Sequence, residues 1–137
     1  MKSRRTQGQS LIEFALLIPL VILLFTMLID IGRTVFLYST LSNAAREGTR
    51  YAIVHPAVTE ADRADIENRT KEYVAGLRPE DVVVVVTLPG TDGYVNVETR
   101  YCYQPITPGL TAIIGSGNCI DLEARSRALM SPLYRPD

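Results

Sequence analysis

Apolar residues fill the chain from Leu11 to Ile31 with only Glu13, Thr26 and Asp30 between them, and no charge occurs from Phe14 to Ile29. About 20 such residues are what a helix needs to cross ~30 Å of hydrocarbon. Pro19 lies inside this run, where it removes one backbone donor and favours a kink that membrane helices tolerate. Beyond Ile31 the apolar positions fall into steps of three and four. Val35, Tyr38, Leu41, Ala45, Gly48 and Ala52 make one stripe, opposite Arg33, Ser39, Ser42, Asn43, Arg46, Glu47 and Arg50. His55-Pro56 is a stop, because a residue before proline avoids helical angles. The pattern predicts one helix from about Gln9 to about Val54, roughly 65–70 Å long at 1.5 Å per residue.

A second helix is expected from Thr59, a good N-cap followed by Glu60 and Asp62, to Ala75 with Gly76 as its stop. Its apolar positions (Ala61, Ala64, Ile66, Tyr73, Val74, Leu77) are few, which predicts a partly exposed helix. The period then changes to two. Asp81 to Leu88 contains five consecutive valines, a strong strand signal, and Pro89-Gly90-Thr91-Asp92-Gly93 is turn chemistry. Tyr94 to Tyr103 places Val95, Val97, Thr99, Tyr101 and Tyr103 on one face, and Ile120 to Met130 alternates again through Leu122, Ala124, Ser126 and Ala128. Between these strands, Gln104 to Asn118 is a long Pro- and Gly-containing loop with an apolar centre at Leu110, Ala112, Ile113 and Ile114. It reads as a flap over one end of the core or as a contact with a neighbouring subunit or lipid headgroups. The expected fold is α+β: a long helix, a second helix and a three-stranded antiparallel head packed on the outer half of the long helix. That half's stripe is expected to bury against the face carrying Val95, Val97 and Tyr101.

The apolar run reads as a retained anchor. A cleaved secretory signal has a shorter core and ends at a small-residue site, whereas Ile29 is followed by Asp30-Ile31-Gly32-Arg33. Every charge before Glu13 is positive (Lys2, Arg4, Arg5), and a basic flank predicts a cytoplasmic N-terminus with the rest exported. The net charge of −1 gives no electrostatic case for nucleic acid. Cys102 and Cys119 fall in the exported part, both at polar-face positions of their strands, so a disulfide between them is expected over two free thiols.

One feature of the anchor is costly. A carboxylate near the mouth of an apolar helix, Glu13, costs roughly 2.5 kcal/mol or more if it sits unpaired deep in a bilayer. It lies five residues past Gly8. Cleavage after Gly8 would create a cationic amine on Gln9 at the same depth as Glu13 of a neighbouring copy. The sequence Gly8-Gln9-Ser10-Leu11-Ile12-Glu13-Phe14 resembles prepilins of the type IV family. Together with Asp30-Ile31-Gly32-Arg33 and Asn43-Ala44-Ala45-Arg46-Glu47-Gly48-Thr49-Arg50-Tyr51-Ala52, the resemblance narrows to the TadE-like proteins, pilin-like components of tight-adherence pilus systems. It covers about the first 55 residues.

The resemblance implies a structural subunit cut between Gly8 and Gln9 by a prepilin peptidase, with Glu13 as an assembly residue. Its partners would be other pilin-like subunits, the assembly platform in the inner membrane and the lipid bilayer. On this reading residues 1–8 are a cleaved leader, 9–31 the membrane half of the helix, 32–54 its outer half and 55–137 the head. A head of this size suits a minor subunit, since major subunits of these pili are much shorter and mostly helix. Arg46, Glu47, Gly48 and Arg50 form a helix motif whose contact the sequence leaves unassigned. The other reading is an unprocessed, membrane-anchored binding domain outside any filament, which would need neither Gly8 nor Glu13.

Catalysis has no constellation to support it. His55 is the only histidine and reads as a cap or surface residue, not a metal ligand. Cys102 and Cys119 lack redox-motif spacing, and Gly115-Ser116-Gly117 lacks the lysine of a phosphate loop. Asn68-Arg69-Thr70 fits a glycosylation sequon but falls within the expected second helix. No cofactor or metal is expected.

Overall fold

The computed structural model describes residues 4–55, 60–89, 92–114 and 119–130. Pro56, Thr59, Gly90, Thr91 and residues 115–118, to which a helix stop, a cap, turns and part of the long loop were assigned above, lie outside these residues. Helix α1 spans Arg4–Val54 and continues through Pro19. It begins five residues before the expected Gln9, so residues 4–8 of the segment that reads as a leader are helical and continuous with the apolar run. At 1.5 Å per residue, α1 is about 75 Å long.

Helix α2 covers Glu60–Glu72, a 3-10 turn follows at Pro79–Asp81, and β1 is Val82–Thr87. Strand β2 is Tyr94–Tyr103, a short helix α3 is Leu110–Ile114, and β3 is Ile120–Leu129. The three strands form one antiparallel sheet in the order β1-β2-β3. Its register pairs Val84 with Thr99 and Thr99 with Ala124. The architecture is α+β, a long helix carrying a second helix and a three-stranded head.

α2 ends three residues before the expected Ala75. Its last bonds tighten to the 3-10 type, Tyr73 N–H to Thr70 O and Val74 N–H to Lys71 O, and Gly76 turns the chain at φ +79°. As its composition suggested, α2 is largely exposed. It buries Ile66 and Thr70.

The core lies between the outer half of α1, one face of the sheet and α2. Alternation along the strands places Val82, Val84 and Val86 of β1, Val95, Val97 and Tyr103 of β2, and Leu122 and Ala124 of β3 inside. They meet Leu37, Leu41, Ala44, Ala45 and Ala52 of α1. Val95 and Val97 are buried and Tyr101 packs against the core, so the sheet face is the expected one.

The phase of the helix stripe differs near the membrane side. Val35 and Tyr38 are 64% and 53% exposed, whereas Asp30, Leu37 and Thr40 are buried. The docked face of α1 thus begins at a carboxylate and includes polar residues. Small side chains at Ala44, Ala45 and Gly48 bring the sheet and α2 close to the helix backbone.

Before Asp30 none of the described residues of the head covers the helix. From Leu11 to Ile29 every residue is exposed except Thr26, whose hydroxyl donates to Leu23 O at 2.9 Å. Among the described residues, α1 is the one helix long and apolar enough to cross a membrane.

Candidate functional site

The exposed end of α1 carries Gly8, Gln9 and Glu13. A Cβ added at Gly8 would meet nothing within 4 Å, so the backbone there is open to approach. Gln9 and Glu13 are one turn apart on the same face, and Gln9 Nε2 donates to Glu13 Oε1 at 3.4 Å. Both side chains are exposed. The carboxylate therefore keeps free acceptor capacity, with its weak intrahelical donor on the residue that would carry a new amine after cleavage.

The motif near the far end of α1 divides into two halves. Gly48 and Thr49 point inward. A Cβ at Gly48 would sit 2.1 Å from Thr70 Oγ1, 3.2 Å from Thr70 Cβ and 3.3 Å from Val97 Cγ1, so this glycine sets the closest approach of α1 to α2 and β2. Thr49 Oγ1 donates to Ala45 O at 2.8 Å and lies 3.4 Å from Ser126 O on β3. Arg46 and Arg50 point outward, with Glu47 half-buried between them. None of the ion pairs among the described residues involves these three. Glu47 and Arg50 instead line an open hollow between α1 and α2 with Tyr51, Val54, His55, Arg69 and Tyr73. His55 stacks on Tyr51 with ring centroids 4.2 Å apart, at the exposed end of the helix.

Asp30 is a residue that pattern reading missed. It is 1% exposed and accepts three hydrogen bonds from the head: Tyr103 Oη at 2.7 Å, Ile106 N at 2.9 Å and Thr107 N at 2.8 Å. Arg33, one turn on, lies 5.7 Å from the Tyr103 ring centroid. Burial and the bond to Asp30 push the Tyr103 hydroxyl up to about 12, keeping it a donor at any physiological pH. One signal was available: no other acid lies between Glu13 and Glu47.

Glu98 is the second residue missed. It sits on the sheet's outer, polar face, yet its side chain is 7% exposed. Arg125 of β3, directly opposite, donates to Glu98 Oε2 through Nη2 at 2.7 Å and Nε at 3.2 Å. Arg100 bonds the other oxygen, and Glu123 accepts from Arg125 Nη2 at 3.0 Å. Burial pushes the Glu98 pKa up, but the bonds and charge of Arg125 and Arg100 outweigh it and hold the carboxyl below its ordinary 4.5.

Cys102 and Cys119 are bonded, with Cα atoms 5.5 Å apart, tying the end of β2 to the residue before β3. Asp121 lies with them in a cluster of metal-ligand types, but sulfurs bonded to one another offer no thiolate to a metal. In the Asn68-Arg69-Thr70 sequon, Thr70 is fully buried within α2.

Residues 8–50 match the family model described as TadE-like protein. No curated protein and no solved structure matches the chain. The matched stretch contains the open glycine, Glu13, Asp30 and the inward-facing Gly48, and over that stretch the chain is similar to the TadE-like proteins.

Proposed function

We propose that this chain is a pilin-like structural subunit of a tight-adherence pilus, a minor one given its head, anchored in the inner membrane and assembled through α1. The observation that supports this reading is the TadE-like stretch lying on one unbroken helix, half of it apolar and uncovered, half of it docked to a head. A helix exposed over this much apolar surface needs lipid or other helices around it. In this reading the N-terminus is cytoplasmic and the head extracytoplasmic, with residues 1–8 removed as leader, 9–31 in the membrane, 32–54 as stalk and 55–137 as head.

A prepilin-type peptidase cuts between Gly8 and Gln9. The new amine of Gln9 then joins Glu13, on the same chain or a neighbour, and removes the cost of a bare carboxylate in an apolar surround. The remaining partners are other pilin-like subunits and the assembly platform. The head acts by packing and not by chemistry.

Mass spectrometry of the mature N-terminus tests the reading. A chain beginning at Gln9, and an uncut precursor in a Gly8→Phe variant, are the expected results. A wild-type chain that keeps its leader, or a Gly8→Phe chain that matures normally, overturns the processing step and favours a plain membrane anchor.

A further inference from the structure

The three bonds to Asp30 fix more than a helix-to-head contact, because Asp30 occupies a defined depth. Leu11 to Asp30 is 20 residues, or about 30 Å of helix, the thickness of a bilayer's hydrocarbon core. With Leu11 at the inner boundary, Asp30 stands at the outer one, and whatever hydrogen-bonds its carboxylate stands there too.

The groups that do so belong to the loop after β2, where the amides of Ile106 and Thr107 reach Asp30 at 2.9 and 2.8 Å. In this loop Thr107 and Leu110 are buried, while the Ile106 side chain is 55% exposed. Ile113, one turn beyond Leu110 on α3, is 79% exposed. Two large aliphatic side chains are thus turned out of this loop, Ile106 at its attachment to Asp30 and Ile113 at its far end. Arg33 and Arg78 line a hollow on the same part of the head with Tyr103 and Gln104. Cations over apolar side chains suit the order of a membrane surface, with phosphates above acyl chains.

We propose that the loop Pro105–Ile113 is a membrane foot: Ile106 and Ile113 enter the headgroup–acyl boundary of the outer leaflet of the bilayer that α1 spans, and Asp30 sets their depth. The occupant of this surface is lipid, not a second subunit, because the loop is fastened at the level where the span ends. The inference rests on α1 spanning the bilayer. It adds a second attachment, so that the head rests on the membrane until the subunit is withdrawn from it.

The chain has no tryptophan, so single tryptophans report depth without background. Four full-length variants, Ile106→Trp, Ile113→Trp, Leu24→Trp and Val54→Trp, are reconstituted at low protein density in phosphatidylcholine vesicles with bromines near the headgroup end or deep in the acyl chains. Leu24→Trp should be quenched by the deep bromines and Val54→Trp by neither. For the two loop variants the shallow bromines should reduce emission by roughly half, as fits a side chain about 5–10 Å into the boundary.

If Leu24→Trp is quenched but neither loop tryptophan is, the foot is wrong and the anchor stands. If Leu24→Trp is not quenched, the span fails and the foot with it. A blue-shifted Ile113→Trp emission without bromine quenching identifies a protein neighbour and overturns the lipid assignment. Adding Asp30→Ala to Ile106→Trp should abolish the shallow quenching while the same change leaves Leu24→Trp quenched. Unchanged quenching at Ile106→Trp would remove Asp30 as the depth-setting residue.

Discussion

The hydroxyl of Tyr103 donates to the carboxylate of Asp30 at 2.7 Å, across a sequence separation of 73 residues and between the helix that carries the apolar run and the last residue of β2. Tyr103→Phe leaves Asp30 two backbone donors and is expected to cost about 1 kcal/mol, while Asp30→Ala strands three donors at once and should cost about 3 kcal/mol. Urea unfolding of detergent-solubilised protein, followed by tyrosine near-ultraviolet dichroism, separates the two. Equal midpoints would mean that Asp30 does not fasten the head.

Gly48→Ala should be among the most damaging single-methyl changes in the chain, because the new carbon meets Thr70 Oγ1 at 2.1 Å. The expected loss is about 2 kcal/mol, within the range of overpacked cores. Thr70→Ala removes the oxygen that clashes, so the double variant should be more stable than Gly48→Ala alone. Additive losses in thermal melts would place the harm elsewhere than in this contact.

Stability should fall in acid through Glu98. Its carboxyl ionises below 4.5 in the fold and near 4.5 in the unfolded chain, so the paired form stabilises the head fully above that value. Between 4.5 and the lower folded value the unfolded state binds the proton first, and the contribution is lost as pH falls. Glu98→Gln should be less stable at neutral pH and show a flatter acid limb. A variant with the wild-type acid limb would mean that other carboxylates govern it.

Glu13→Leu should insert at least as well as the parent chain, since an apolar helix is cheaper to insert. Its incorporation into pili should nonetheless drop, because on the proposed reading the amine freed on Gln9 loses its counter-charge. Fractionation of sheared pili against membranes, with antibody to the head, reads both quantities. Normal incorporation would leave Glu13 with no role in assembly.

Much of this architecture was legible because a sheet with one buried face writes a period of two into its sequence. Val95, Val97 and Thr99 showed it, and their burial follows. The helix stripe was harder. Val35 and Tyr38 look like core positions because apolarity near a membrane answers to two apolar surroundings, the head and the lipid or neighbouring helices, and composition does not say which. The true docked face announces itself through Asp30 and Thr49, polar residues satisfied by partners 73 to 77 residues away and, for Thr49, also by its own helix. Glu98 hid for a related reason. A strand's polar face predicts exposure, and only the register that sets Arg125 opposite reveals a carboxylate covered by arginines. Helix α3 is too short to carry a period at all.

Because Asp30, Leu37, Leu41, Ala44, Gly48 and Ala52 all lie on the one helix that also carries the apolar run, the head has no swivel. Its azimuth is locked to the rotation of α1 about its own axis, and a shift of one residue in helix packing would swing the Glu98 face by about 100°. Any array that seats α1 in a fixed angular register would therefore point every Glu98–Arg125 face in the same direction relative to the array axis. A single choice of helix contact deep in the apolar layer would then decide which side of each head faces outward, tens of ångströms away.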